Sequence, residues 1–216
     1  MMDYILMDLD GTITNTKEGI TKSIQYALRA MNIYIDDLDS LTKHIGPPLR
    51  DGFMEFYGFN EEEAEKATAE YRKYYVDKGI YQCEAYEGME DLLTKLKQAG
   101  KYLIVATSKP EEFAVKILKN LYLDHYFDDI CGATFDGSRD DKESVIRYAL
   151  ERNSITDLDK AIMVGDRKFD ILGAKAVGIA TIGVLYGFGN REELEQAGAD
   201  YIAATVDEIY DIIMNL

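Results

Sequence analysis

From residue 4 onward the chain alternates between short apolar runs and amphipathic stretches of helical spacing. Tyr4-Ile5-Leu6-Met7 is apolar throughout and stops abruptly at Asp8-Leu9-Asp10-Gly11-Thr12. A run without polar alternation reads as a strand buried on both faces, and its polar end reads as the carboxyl terminus of a parallel strand. Similar runs follow at 102–106, 161–165 and 179–184, with shorter ones at Ile130-Cys131 and 201–203. Between them, Met89, Leu92, Leu93 and Leu96 keep helical spacing up to Gly100, as do Val115, Leu118 and Leu121. Strand and helix alternate from about residue 88 onward. This predicts an α/β fold, a Rossmann-like parallel sheet flanked by helices.

The stretch from Asn15 to Gln82 has a different period. Ile20, Ile24, Ala27, Leu28 and Met31 share one helical face, then Leu49, Phe53 and Phe56, then Ala64, Ala67, Tyr71, Tyr74 and Tyr75. No β-type run separates them, so an all-helical module is expected to interrupt the α/β domain after its first strand. The expected boundaries are a core of residues 1–14 and 83–216 and an inserted module of 15–82.

Composition narrows the function. With 216 residues, 47% of them hydrophobic, the chain can bury a core without disulfide staples. It carries 24 Lys and Arg against 40 Asp and Glu, a net charge of −16. Such a surface repels phosphate backbones and anionic lipid, which argues against nucleic-acid and membrane partners. An anionic substrate would need a local patch of opposite sign. The two cysteines, Cys83 and Cys131, form no metal or disulfide pattern. The N-terminal stretch lacks a basic segment ahead of its short apolar run, and no run approaches the roughly 18 apolar residues of a membrane span. A cytoplasmic location is expected.

The candidate chemistry sits where strands end. Asp8 and Asp10 follow the first run, and Asp166 and Asp170 follow the run at 161–165. In open α/β sheets ligands bind outside the carboxyl ends of strands. If these runs are parallel neighbours the four acids converge, and two unit charges about 4 Å apart repel by roughly 4 kcal/mol at an effective dielectric near 20. Such a cluster takes up protons or holds a hard divalent cation, and oxygen-only donors favour Mg²⁺ over zinc. Thr107-Ser108-Lys109 follows the run at 102–106, where hydroxyls, backbone N–H groups and an ammonium at a helix start would suit a phosphate. Lys142 precedes the helical pattern of Val145, Ile146, Ala149 and Leu150 and could enter the same cleft.

Four motifs in this order carry a resemblance. Asp8-Leu9-Asp10-Gly11-Thr12 resembles the DxDGT signature of haloacid dehalogenase-type phosphatases. The segment 105–110, Lys142, and Gly165-Asp166-Arg167-Lys168-Phe169-Asp170 resemble the family's second, third and fourth motifs. The segments 45–50 and 186–189 are similar to the phosphoglycolate phosphatase-like subgroup, which has a helical cap inserted after the first motif. The resemblance covers essentially the whole chain. It implies a Mg²⁺-dependent phosphomonoester hydrolase acting on a small phosphorylated metabolite, more often a monomer than an oligomer. Asp8 would be the nucleophile that forms an aspartyl phosphate, and Asp10 the acid and base. Asp8, Asp10 (also through its carbonyl) and Asp166 would hold Mg²⁺, with Asp170 supporting. Thr107, Ser108 and Lys142 would bind the transferring phosphoryl group, and Lys109 is a weaker candidate for binding substrate. Arg50 could read the substrate from the cap or could be an exposed surface arginine. His44 and His125 are assigned no role.

The chain departs from the family pattern at Thr14-Asn15-Thr16 and at Tyr86-Glu87-Gly88, the two segments that would form the hinges of the cap. Two other readings remain open. A phosphomutase similar to β-phosphoglucomutase would share the aspartate pair, and a response-regulator-type phospho-accepting module would share the clustered Asp, Thr, Lys and Mg²⁺.

Overall fold

A six-stranded parallel sheet with the order β5-β4-β1-β6-β7-β8 forms the core of the computed structural model, which describes residues 2–46 and 48–216. Met1 and Pro47 lie outside the described residues, and Pro47 takes with it the middle of the motif-like segment 45–50. The strands are β1 (Tyr4–Met7), β4 (Tyr102–Pro110), β5 (Asp129–Ala133), β6 (Ala161–Gly165), β7 (Ala180–Val184) and β8 (Tyr201–Ala203). Ile5, Leu6 and Met7 are wholly buried, as a central strand covered on both faces requires. Leu6 packs in one core layer with Ile104 and Met163 of the sheet, with Val145, Ile146 and Ala149 of α6 (Lys142–Arg152), and with Ala174 of α7 (Lys168–Val177). Strand alternation turns Ile5 and Met7 to the opposite face. The remaining helices of this unit are α4 (Met89–Gln98), which packs beside α9 (Val206–Met214), α5 (Glu111–Asn120) and α8 (Arg191–Ala197).

The chain builds the sheet from the middle outward. From β1 it steps to β4 and β5 on one side, then returns across β1 to β6, β7 and β8 on the other. The strand order therefore reverses at β1, and such a switch point leaves an open crevice beyond the strand ends. The registers Met7↔Val105 and Met7↔Val164 bring the carboxyl ends of β1 and β6 level with each other and beside the middle of β4.

Two expectations change. The apolar run at 102–106 continues as strand to Pro110, with a register shift against β5 between Thr107 and Pro110. Thr107, Ser108 and Lys109 thus sit on a strand extension and not at a helix start: α5 begins only after Pro110, whose ring disfavours a helical backbone at Lys109 before it. That start also sets the phase of α5, whose buried face is Ala114, Ile117 and Leu118, with Val115 and Leu121 half-buried.

Residues Thr16–Glu84 form a second compact unit, and the residues up to Asn15 join Ala85–Leu216 in the first. Short strands β2 (Thr14–Asn15) and β3 (Glu84–Ala85) pair where the chain crosses between units, which moves the crossings one and two residues beyond those expected. The inserted unit contains α1 (Lys17–Ala30), α2 (Leu49–Tyr57) and α3 (Glu61–Asp77), with α3 packed on both α1 and α2. A capping box starts α3: the Asn60 side chain accepts from Glu63 N, and the Glu63 carboxylate accepts from Asn60 N. Among the described residues no helix is long and apolar enough to cross a membrane.

His44 is the polar member of an aromatic cluster in the inserted unit. Its ring stacks on Tyr57 with centroids 5.5 Å apart and meets Phe56 edge-on at 4.9 Å. Burial, helped by the charge of Lys43, pushes its pKa from 6.5 down to about 4. The folded state therefore resists a proton that the unfolded chain accepts, so stability is retained above pH 6.5 and lost as pH falls toward 4. Between pH 7.5 and 5 this amounts to about 2 kcal/mol. Urea unfolding at both values checks it: His44→Phe is expected to lose that much less stability than the wild type on acidification.

Candidate active site

Asp8 is the first residue beyond β1, and its N–H donates to Val164 O of β6 at 2.9 Å, so the sheet ladder itself fixes its backbone. Asp166 is the first residue beyond β6, and Asp170 lies in the first turn of α7, where its Oδ2 accepts from Arg167 N at 3.0 Å. One carboxylate oxygen from each of Asp8, Asp166 and Asp170 falls within 4.8 Å of the others. All three residues are buried.

Lys142 enters this cluster from the first residue of α6. Asp141 caps that helix by accepting from Ser144 N at 2.9 Å, which aims the first turn at the strand ends. The Lys142 Nζ lies 2.7 Å from Asp8 Oδ1 and 2.8 Å from Asp170 Oδ1, and donates to Ala106 O at 3.0 Å. Burial alone would push this ammonium down, but the charges of Asp170 and then Asp8 outweigh it and hold the group above its ordinary value. Burial dominates at the acids. It pushes Asp170 up to about 6, opposed by Lys142 and reinforced by Asp8. It pushes Asp166 well above the usual carboxylate range, with the charges of Asp170 and Asp8 adding to the effect.

Three carboxylates against one ammonium leave two formal negative charges in a buried space. One divalent cation cancels that excess. Asp166 Oδ2 accepts from Phe188 N at 2.7 Å, whereas its buried Oδ1 accepts no hydrogen bond. A buried carboxylate oxygen without a donor is costly unless something else binds it. The all-oxygen donor set and this spare oxygen fit Mg²⁺.

Glycines make the approach possible. Gly11 has φ +85°, and a side-chain carbon there would strike the Asp166 carboxylate. A side-chain carbon at Gly165 would strike the Asp170 carboxyl, and one at Gly187 would strike Gly11 O and Asp166.

Asp10 stands apart from the three-acid group. Its Oδ2 is 2.7 Å from Lys109 Nζ, and that lysine side chain is only 6% exposed. Thr107 is buried one residue beyond Ala106, the acceptor for Lys142, and its Oγ1 accepts from Lys109 N at 3.2 Å. Ser108 between them is half-buried. Arg50 lies in the first turn of α2 in the inserted unit, 43% exposed and 3.3 Å from Glu61. Of the expected residues, the structure brings together Asp8, Asp166, Asp170 and Lys142, and links Asp10 to Lys109. The Phe188 amide was not anticipated. A main-chain donor leaves no side-chain signal, although the paired glycines of Gly187-Phe188-Gly189 mark where backbone comes close.

A family model described as haloacid dehalogenase-like hydrolase matches residues 5–184. The chain belongs to that family. A 5'-nucleotidase from Pseudomonas aeruginosa is 44% identical over 190 residues, covering 88% of this chain and 86% of the relative. The tyrosine-protein kinase PtkA of Mycobacterium tuberculosis is 35% identical over 211 residues, covering 97% and 72%. The crystal structure of a predicted phosphatase from Clostridium acetobutylicum superposes with a TM-score of 0.97 at 49% identity, covering 100% of both chains. As a haloacid dehalogenase-like hydrolase, the chain is an enzyme with phosphatases among its relatives.

The charge excess gives a test. At pH 8 without metal, Asp166→Asn is expected to melt higher than the wild type, since one buried like charge is gone. Saturating Mg²⁺ should raise the wild-type Tm by about 5 °C and leave that of the variant unchanged. Differential scanning calorimetry of metal-stripped and metal-loaded samples reads both effects.

Proposed function

We propose that the protein is a Mg²⁺-dependent phosphomonoester hydrolase that works through an aspartyl phosphate on Asp8, with small soluble phosphates as substrates. The observation that carries this reading is the junction of Asp8, Asp166 and Asp170 around Lys142, with Asp10 held one step away by Lys109. Asp8, Asp166 and the Asp10 carbonyl would hold the cation, with Asp170 in support. When bound, Mg²⁺ would supply charge neutralisation for the phosphoryl oxygens.

The residues divide the work. Lys142 fixes Asp8 Oδ1 and leaves Oδ2 to attack phosphorus in line with the leaving oxygen. As the new P–O bond forms and the ester bond breaks, Asp10 gives its proton to the departing alkoxide. A water then attacks the same phosphorus, Asp10 takes its proton, and the bond to Asp8 breaks to release phosphate. Lys109 must part from Asp10 for that carboxyl to carry a proton. Lys142 and the Thr107 hydroxyl bind the equatorial oxygens, whose charge shifts in the transition state.

The names of similar proteins suggest an order for testing substrates. Nucleoside monophosphates come first, given the 44% identical 5'-nucleotidase, followed by phosphoglycolate and pyrophosphate, on which more distant relatives are named to act.

Phosphate release from p-nitrophenyl phosphate and from a panel of these metabolites, with and without Mg²⁺, tests the reading. Asp8→Asn is expected to lower kcat by about 10⁴-fold or more. Asp10→Asn should lower it by about 10²- to 10⁴-fold and let a phosphorylated protein accumulate, visible by intact mass. Full activity in Asp8→Asn, or isomerisation of a sugar phosphate without phosphate release, would refute it.

A further inference from the structure

The loop after β7 does more than connect β7 to α8. Tyr186-Gly187-Phe188-Gly189 wraps Asp166: Phe188 N holds Oδ2 at 2.7 Å, a side-chain carbon at Gly187 would strike the carboxylate, and one at Gly189 would strike Asp166 O. Within that loop the Tyr186 hydroxyl donates to Thr12 O at 3.0 Å, in the turn that carries Asp10 and Gly11. The Tyr186 ring meets Tyr86 edge-on, with centroids 4.8 Å apart and planes at 63°. Tyr86 is the second residue of the first unit after the chain returns at Ala85, and its N–H donates to Ile13 O at 3.2 Å. The loop that aims Asp166 is therefore tied both to the turn by which the chain leaves the core and to the segment by which it returns. Burial, and then the charge of Asp166, holds the Tyr186 phenol well above its usual pKa, so it stays a donor throughout the working pH range.

We propose that Tyr186 is a positioning residue for Asp166: its hydroxyl bond to Thr12 and its ring contact with Tyr86 pin the loop so that the Phe188 amide occupies one Asp166 oxygen and leaves the other to the cation. The inference rests on the Mg²⁺ reading above. Partners one step behind a metal ligand typically change affinity by about 10- to 100-fold when removed. Tyr186 acts one bond further away, so a smaller effect is expected.

The experiment compares Tyr186→Phe, which keeps the ring contact and removes the hydroxyl bond, with Tyr102→Phe. The Tyr102 hydroxyl makes the same kind of bond, to Asn153 Oδ1 at 3.0 Å, at the opposite end of the sheet. Isothermal titration of metal-stripped protein with Mg²⁺ gives the affinity, and calorimetric Tm gives the stability. Tyr186→Phe is expected to bind Mg²⁺ about 3- to 10-fold more weakly than the wild type, while Tyr102→Phe loses Tm but keeps its affinity. A Tyr186→Phe protein that loses Tm and binds Mg²⁺ as tightly as the wild type overturns the positioning role alone. A wild type that binds no Mg²⁺ overturns the metal reading and this inference with it.

Discussion

Three carboxylates share a space from which water is largely excluded, and only one ammonium, Lys142, stands among them. At an effective dielectric near 20 each close pair of like charges costs roughly 4 kcal/mol, and burial adds to that cost. No isolated segment would gather these groups. They stay together because β1, β6 and β4 are locked in register by ladder hydrogen bonds and by a core that buries Leu6, Ile104 and Met163 completely. The stability of the sheet thus holds in place an arrangement that is electrostatically unfavourable on its own. Such local conflict, supported by consistent packing elsewhere, is typical of functional sites.

Backbone geometry sets how closely the groups approach. The Gly11 turn, the Gly165 strand end and the Gly187 loop each face a carboxylate from which a side chain would displace them. The glycine in DxDGT thus has two reasons to be there: a left-handed backbone at φ +85°, and contact with Asp166, which lies more than 150 residues away in sequence. Lys142 depends on placement in the same way. Its helix begins at an Asp141 cap, and its ammonium is anchored to Ala106 O as well as to two acids, so it cannot swing out without abandoning three partners.

Much of this arrangement is legible in the chain itself. Unalternated apolar runs ending in Asp identify β1 and β6 because a central parallel strand is buried on both faces and must deliver its polar groups at its end. The β4 extension was harder to read. Thr107-Ser108-Lys109 has the composition of a helix start, and only pairing with β5 shows that strand geometry continues to Pro110. Asp170 was legible as an acid near a strand end but not as a residue that both accepts from Arg167 N in the first turn of α7 and pairs with Lys142, since that needs the helix direction. The contacts from Lys109 to Asp10 and from Phe188 N to Asp166 were out of reach, because both depend on side-chain and loop paths that no local pattern encodes.

The overall charge of −16 posed a question that the site answers. The expected patch of opposite sign is not an exposed basic surface. The side chains of Lys142 and Lys109 are only 4% and 6% exposed, and each is paired with an aspartate of the first motif, Asp8 and Asp10. Each lysine is therefore already neutralised by the acid it serves, and the site alone would offer a phosphate dianion little net attraction. A divalent cation, held at the spare Asp166 oxygen against the two excess charges, would supply that attraction on the reading proposed above. On that reading cation and phosphate would bind interdependently: the acids would hold the cation, the cation would offset the acids, and Lys109 would then be free to part from Asp10 while Lys142 stays on its three partners.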